Sequence, residues 1–469
     1  MELEFEIVPV EQYPVVIQTR LASASNLPDI ATISQLDDTT ALNLAKQGII
    51  LELNSLIEKY SNGNIRRMYT QVYPFAPKLT TAPDGKMYWF SNLHILKYQN
   101  TKDAPSILCM TIRKDWLDKL NLPVPTTAEE YFNTLKEFRI RDANGNNLED
   151  EILVYNPGYF SQAIAQWFGL GTDITSVDVE NKKVVSPWYQ AGIKEYFQYL
   201  NKLVKENIID TSLINAGGEL INQKFAENKV ASISTYSSQT WYEPMIPVDE
   251  ALLLPLTSLK AVEGITPVIQ LEPPSLVWGK YCITKGCQNL EAAIAFFDVV
   301  YSDEYSELLS WGVEGLTFEW VDGVRMLKES LSNEERAKQR NTTGSPLYGD
   351  TVFPRIQCPN LESALNNLIN LGQKIKADFQ IEYMDYRPCF YNFNNNFMAI
   401  PDDEQLNEKS RILNNISTYS SELATKLALG TASLDNWDTY IKELKELGLD
   451  KLIEIDQQLH DRYNSISIE

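Results

Sequence analysis

Residues 113–130 read R-K-D-W-L-D-K-L-N-L-P-V-P-T-T-A-E-E, and the fold turns on how they are read. The run before them, S-I-L-C-M-T-I (106–112), is apolar and of strand length. R-K-D-W-L-D-K-L then sets Trp116, Leu117 and Leu120 on one face of a short helix. Thr127 and Glu130 make a capping box, and Tyr131, Leu135 and Phe138 follow it at helical spacing. A strand feeding two amphipathic helices points to a mixed α/β unit.

The pattern continues outward in both directions. F-E-I-V-P-V (5–10) alternates as a strand does, and a helix follows with Pro14 in its first turn. L-P-D-I-A-T-I (27–33) is a short buried strand, and A-L-N-L-A-K-Q-G closes a helix at Gly48. This order predicts a largely parallel sheet. P-D-G-K-M-Y-W-F (83–90) is a turn entering a strand. Residues 188–207 predict an amphipathic helix, 228–235 a strand, and 288–301 an apolar helix. Residues 322–380 are polar and poorly periodic, with turn signals at D-G (322–323) and T-G-S-P (343–346). The end is helical: Ser433 caps, Trp437, Tyr440, Ile441, Leu444 and Leu447 line one face, and Gly448 stops it.

Composition narrows the function. At 44% hydrophobic and 11% aromatic, the 469 residues can bury sizeable cores. A net charge of -22 repels phosphate backbones and argues against a nucleic-acid partner. No apolar run is long enough to span a bilayer. The five cysteines (Cys109, Cys282, Cys287, Cys358, Cys389) form no C-x-x-C pair and read as buried thiols or a reduced setting. The two histidines leave little room for imidazole chemistry. His460 reads as a surface residue, and His94, in a loop, could touch a ligand. No nucleotide-binding, hydrolase or metalloprotease motif is present. Catalysis by a carboxylate pair, as in a glycoside hydrolase or lyase, stays open as an alternative.

Five stretches together resemble one family. They are A-S-A-S-N-L-P-D-I (22–30), D-G-K-M-Y (84–88), residues 113–130, W-G-V-E-G-L-T-F-E-W-V-D-G (311–323) and W-D-T-Y-I-K-E-L-K-E-L-G-L-D-K-L-I-E-I (437–455). In this order they are similar to extracellular solute-binding proteins of family 1, in the lipoprotein group serving carbohydrate ABC importers. The resemblance implies an α/β, two-lobed periplasmic-binding-protein-like fold with a hinge, an interlobe cleft and a helical C-terminus. The first lobe is expected at 1–110 and 279–320, and the second at 111–278 and 321–469. It further implies a non-enzymatic monomer that captures a sugar or oligosaccharide outside the cell and delivers it to membrane permease subunits. A non-sugar solute is the remaining alternative. Family members start with a signal peptide, a lipidated cysteine and a first strand. This chain is expected to lack those and to start at the strand after them.

Residues 141–152, R-D-A-N-G-N-N-L-E-D-E-I, space oxygen donors at alternating places. Ca²⁺ takes six to eight oxygens, which a tight loop of this kind supplies. Asp142, Asn144, Asn146, Asp150 and Glu151 would give side-chain oxygens, and Leu148 its carbonyl. Asn147 stands where an EF-hand has glycine and tolerates left-handed backbone. The competing reading is a polar turn that satisfies backbone geometry. The resemblance favours the cation, since alginate-binding members hold Ca²⁺ in a similar loop.

A sugar site stacks aromatics on C–H faces and aims polar groups at hydroxyls. Nine Trp and 24 Tyr provide candidates. Trp89 and Asn92 sit at a strand end that the resemblance places on the cleft, with core packing the alternative for Trp89. The resemblance also implies stacking by Tyr159, with Phe160 its neighbour, and by Trp241, with Tyr236 and Gln239 beside it. Asp37, after Ser34 and Gln35, is a hydroxyl partner. Trp278 and Trp311 are further candidates to reach the cleft, and Tyr391 is a weaker one. Trp116, Trp188 and Trp437 are assigned to packing.

Overall fold

The computed structural model describes residues 3–9, 12–74, 76–95, 108–158, 163–171, 173–178, 181–214, 216–236, 242–249, 251–270, 275–305, 308, 313–315, 318–321, 324–327, 356–357, 374–383, 389–391 and 398–465. Its strands are β1 (Ile30–Thr32), β2 (Phe90–Ile95), β3 (Leu108–Arg113), β4 (Ile152–Val154), β5 (Ser176–Asp178), β6 (Lys183–Val185), β7 (Val230–Tyr236), β8 (Leu253–Pro255), β9 (Ile269–Gln270), β10 (Ser275–Ile283), β11 (Phe318–Val321), β12 (Val324–Leu327), β13 (Ile356–Gln357) and β14 (Cys389–Tyr391). Two main sheets have the orders β1-β10-β2-β13 and β4-β7-β3-β8. A third is β6-β5-β14-β9, and β11-β12 form a hairpin.

Each main sheet is covered on both faces. In the first, Phe90, Tyr281 and Ile283 pack with Tyr69, Phe297 and Tyr301, while Ala31, Trp89 and Cys282 pack with Leu36 and Leu42. In the second, Met110, Ile112, Leu153 and Leu254 join a large cluster with Trp116 and Tyr131. Ile152, Val154, Val230 and Leu253 face a smaller one around Phe225. Side chains alternating with period two send neighbours to opposite faces. The result is two lobes, each with its own core.

The sheets are not largely parallel, as the sequence predicts. β10 runs antiparallel to β1 (Ile30↔Ile283) and to β2 (Ser275↔Ile95), and β3 runs antiparallel to β7 and β8. Among the described strands the parallel pairs are β13 with β2, β4 with β7 and β14 with β9. The path of the chain explains this: β2 leaves the first sheet toward β3, and β10 returns from the second.

The stretch 113–130 folds as read. Lys114–Leu120 is a helix closed by left-handed Asn121 (φ 52°), and both halves of the Thr127–Glu130 capping box form. Such a cap contributes about 1 kcal/mol. Arg113, fully buried, donates to Asp115 at 2.8 and 2.6 Å and to Asn228 at 2.8 Å. Its guanidinium lies 4.3 Å from the centre of the Trp116 ring. Trp188 and Trp437 are also core, and Trp188 Nε1 donates to Ser420 Oγ at 3.0 Å.

Three further expectations are corrected. Residues 3–9 join no sheet, and Phe5 and Ile7 are exposed. Alternation makes a strand only beside a partner strand; here Glu6 instead pairs with Arg20 of the helix Tyr13–Ser23. The 188–207 helix begins at Ile193, after a 3₁₀ turn at Pro187–Tyr189. His460 is buried, at 5% exposure, because it follows Leu452, Ile455, Asp456 and Leu459 on the inner face of the helix Leu449–Ser465.

Two of the described helices reach both cores: Leu449–Ser465, with Leu452, Ile455 and Leu459 in the second and Tyr463 against the first, and a longer one. The helix Asp403–Ala428 begins in the first-lobe cluster at Leu406, and continues in the second-lobe cluster through Ile412, Ile416, Leu423 and Leu427. Lys46 of the first lobe pairs with its Asp403.

Candidate functional site

Strands β2 and β10 pair within the first-lobe sheet; β2 is the last strand of that sheet before β3 of the second, and β10 is the next to rejoin it. Their register breaks between Trp278 and Tyr281, where Gly279 takes φ 76°. A bulge of this kind re-aims side chains. It is held from several sides. Ser91 Oγ donates to the Gly279 carbonyl at 2.9 Å, and the Lys280 N–H donates to Ser34 Oγ at 3.0 Å. Beneath it, Tyr301 Oη donates to the Ser91 carbonyl at 2.6 Å and accepts from the Ser91 N–H at 3.2 Å. Tyr69 packs edge-on against Tyr301, and burial pushes its hydroxyl up to about 12.

Several predicted residues meet here. Asn92 is opposite Trp278, is buried, and gives its amide to Tyr281 Oη at 3.2 Å. Trp278 lies within β10 rather than before it. Trp89 is 3% exposed within the first-lobe core, with Lys280 Nζ 5.5 Å from its ring centre. These surroundings match the core-packing reading of Trp89. Lys280 also bonds to Asp38 at 2.5 Å and to the Leu36 carbonyl at 2.9 Å. Asp37 is exposed and caps the helix Asp38–Lys46, accepting from Thr40 N and Oγ1 at 2.8 and 2.9 Å. His94 contributes backbone to β2.

On the second lobe, Tyr236 ends β7 half-buried against the core, opposite Leu108. Tyr159, Phe160, Gln239, Trp241 and Trp311 lie outside the described residues, as does the side chain of Tyr391. Beside the 237–241 segment the sequence reading missed a buried ion pair, Glu243 with Lys376. Burial pulls the Lys376 ammonium below its usual range, against the opposing pull of Glu243. Their separation of 133 residues leaves no local signal. Lys280 was also missed, although glycine inside a strand pattern is the mark of a bulge. Cys109 and Cys282 are free and buried, their thiols pushed up to about 12 by burial.

The 142–151 loop closes on itself. Asp142 accepts backbone N–H groups of Gly145, Asn146 and Asn147 at 2.9–3.0 Å. Asn144 and Asn146 turn their amides to Asp150 at 2.8 and 2.9 Å. Asn147 takes the left-handed backbone that its place requires (φ 62°). Glu151 is 1% exposed, accepts from Asn144 N at 3.1 Å, and has a buried Oε2 without a hydrogen-bond partner. Burial pushes its carboxyl up, and the Asp150 and Asp142 charges add to that. For Asp150, burial is outweighed by the Asn144 and Asn146 amides and by Lys229, which hold it below its usual range. Among the described residues no three Asp, Glu, His or Cys side chains converge as a ready-made metal centre. The donor chemistry nonetheless fits a hard cation: three carboxylates, one of them with an orphaned buried oxygen, and two amide oxygens.

Two α/β lobes, each with its own sheet and core, between which the chain passes after β2 and returns at β10, are the architecture of the two-lobed solute-binding proteins. The chain matches the model of the family "Bacterial extracellular solute-binding protein" over residues 2–307, and belongs to that family. It is 25% identical over 458 residues to the fructooligosaccharide ABC transporter substrate-binding protein FusA of Streptococcus pneumoniae serotype 4 (strain ATCC BAA-334 / TIGR4), covering 94% of this chain and 81% of FusA. A structure of an S. pneumoniae FusA EF-hand mutant in complex with fructo-nystose superposes with a TM-score of 0.73 at 22% identity, over 96% of this chain and 91% of that one. The alginate-binding protein AlgQ2 without calcium ion gives 0.70 at 20%, over 95% and 88%. Among the described residues no helix is long and apolar enough to cross a membrane.

Proposed function

We propose that this chain is the sugar-capturing component of an ABC importer, closing two lobes on a neutral oligosaccharide and presenting it to permease subunits. The observation that carries this reading is the β2–β10 pair. Its bulge gathers Ser34, Asp38, Lys280 and the Trp278 strand on the first lobe, on the strands between which the chain passes to the second sheet and back. Relatives named for oligosaccharide binding support the ligand class. The net charge of -22 favours neutral sugars over uronates.

In this reading Tyr159, Tyr236, Trp241, Trp278 and Trp311 are the platforms, and Asp37 and Gln239 reach hydroxyls. Trp89 and Asn92 support the bulge from beneath. The first lobe comprises 1–110 and 279–320, with residues 275–278 and β13 added because these pair with β2, and with Leu108–Met110 given to the second lobe because they pair with β7. The protein acts as a monomer outside the cell, anchored at the membrane. The 142–151 loop holds a structural Ca²⁺ through Asp142, Asn144, Asn146, the Leu148 carbonyl, Asp150 and Glu151. The orphaned Glu151 oxygen and the EF-hand of FusA support this. The ion would offset the loop's negative charge and brace the second lobe.

A ligand that binds only the folded state raises the melting temperature by mass action. A thermal-shift panel of kestose, nystose, neutral gluco- and galacto-oligosaccharides and oligogalacturonates tests the reading. One neutral sugar should give a saturable shift without turnover. A flat response from folded protein to every sugar, or product formation, overturns it.

A further inference from the structure

Two tyrosines of the first-lobe core aim their hydroxyls at one strand residue. Tyr301 Oη donates to the Ser91 carbonyl at 2.6 Å and accepts from the Ser91 N–H at 3.2 Å, and Tyr69 Oη accepts from the same N–H at 3.3 Å. The two hydroxyl oxygens are 3.4 Å apart. Both rings are buried in a cluster with Phe90, Leu93, Ile294 and Phe297. A hydroxyl in such a place costs free energy unless it is bonded, and phenylalanine would fill the same space. Tyr69 is carried by a single π-helical turn, Met68–Val72, a rare form that concentrates at functional sites.

The ladder explains why Ser91 takes these bonds. The Ile33 N–H donates to the Lys280 carbonyl and the Thr284 N–H to the Asp29 carbonyl, so the peptide groups of Lys280 and Thr284 face β1. Those of Tyr281, between them, face β2, where Phe90 is opposite. The peptide groups of Ser91, next along β2, therefore face its far edge, which β13 joins only from Leu93. The tyrosines stand there in place of a strand. Across the sheet, Ser91 is opposite two residues, Gly279 and Lys280, which are the bulge, and its Oγ donates to the Gly279 carbonyl at 2.9 Å. The bulge in turn fixes Lys280, whose N–H donates to Oγ of the exposed Ser34 at 3.0 Å and whose ammonium pairs with Asp38. One residue thus links a buried core to the polar face of the bulge.

We propose that Tyr69 and Tyr301 are positioning residues: acting through Ser91, their hydroxyls hold the Gly279–Lys280 bulge in the geometry that presents Ser34 and the Lys280–Asp38 pair. The role belongs to the hydroxyls rather than the rings, and neither tyrosine meets a ligand. The effect on sugar affinity rests on the reading of this face as the sugar-capturing one. The effect on the bulge does not, and is present in the sugar-free protein.

Tyr69→Phe, Tyr301→Phe, Ser91→Ala and the double variant Tyr301→Phe/Ser91→Ala test it. The control is Ser258→Ala, which removes a bond of the same kind from the second lobe, Ser258 Oγ to the Val268 carbonyl at 2.8 Å. Amide hydrogen exchange without sugar reads the bulge. The Lys280 amide should exchange about tenfold faster in Tyr301→Phe and Ser91→Ala, with β7 amides unchanged, and at the wild-type rate in Ser258→Ala. Titration with kestose and nystose reads the site. Tyr301→Phe and Ser91→Ala should each weaken binding by about tenfold, and the double variant should bind no more weakly than Ser91→Ala, because Tyr301 acts through Ser91. Additive losses mark a general loosening of the core and overturn the proposal. So does an unchanged Lys280 rate, whatever the titrations give. Faster exchange at Lys280 in a protein that binds neither sugar upholds the positioning role and counts against the sugar-capture reading alone. Circular dichroism checks the fold. If Ser91→Ala misfolds, the exchange rates of the two Tyr→Phe variants decide.

Discussion

Replacing Glu151 by glutamine separates the two readings of the 142–151 loop, because they give opposite signs. In the metal-free protein Glu151 is a buried carboxylate with one oxygen unsatisfied and two acidic neighbours acting on it. An orphaned buried polar atom costs about 1–3 kcal/mol. Glu151→Gln keeps the acceptor for Asn144 N and replaces the orphaned oxygen with a donor facing carboxylates. In EDTA the variant should therefore gain about 1 kcal/mol, or about 1 °C. With Ca²⁺ at a hundredfold its dissociation constant, wild type gains about 2.7 kcal/mol, and the variant should lose most of that. The pH dependence follows from the raised carboxyl. Glu151's stabilising contribution is complete below the unfolded carboxylate range and is lost as pH rises through its raised value in the fold. Glu151→Gln removes that slope in EDTA. Calorimetry with and without Ca²⁺ measures all three effects. A wild type that takes no Ca²⁺ shift, with a variant destabilised in EDTA, would refute the reasoning and leave a polar turn.

Gly279→Val should impair the bulge, since a Cβ there meets Asn92 Nδ2 at 3.0 Å and Tyr281 Cε2 at 3.1 Å on left-handed backbone. Binding should weaken by about tenfold or more, while Gly63→Ala, also at positive φ but with open space around it, leaves binding unchanged. Titration of the panel's best sugar reads both. Glu243→Ala should cost about 3–5 kcal/mol in urea unfolding by stranding the buried Lys376, and the double variant with Lys376→Met should recover part of that.

What the sequence revealed was local or familial. The Thr127–Glu130 box, the left-handed turns at Gly48, Asn147 and Gly448, and the buried faces of Trp116 and Trp437 depend on near neighbours, and all formed. Quantities set by distant segments were lost. The strand-like alternation of residues 3–9 says nothing about whether a partner strand lies alongside. The burial of His460 depends on which face of its helix meets the rest of the fold. The antiparallel β2–β10 pair depends on the chain leaving one lobe and coming back. The Lys280 and Lys376 contacts arise only when segments more than a hundred residues apart meet. At the candidate site, residue types were legible, but their surroundings were not. Trp89 and Asn92 carry the chemistry of a sugar contact, yet here it is turned inward.

The helix Asp403–Ala428 has a consequence for how the molecule fails. At 26 residues it is about 39 Å long, with one end embedded in each core. Neither core can melt without unwinding a rod on which the other depends. Heating should therefore give one calorimetric peak rather than two, and damage to one lobe should expose the other to proteases. A sugar gripped between the lobes would then protect amides at the far end of either lobe from solvent exchange.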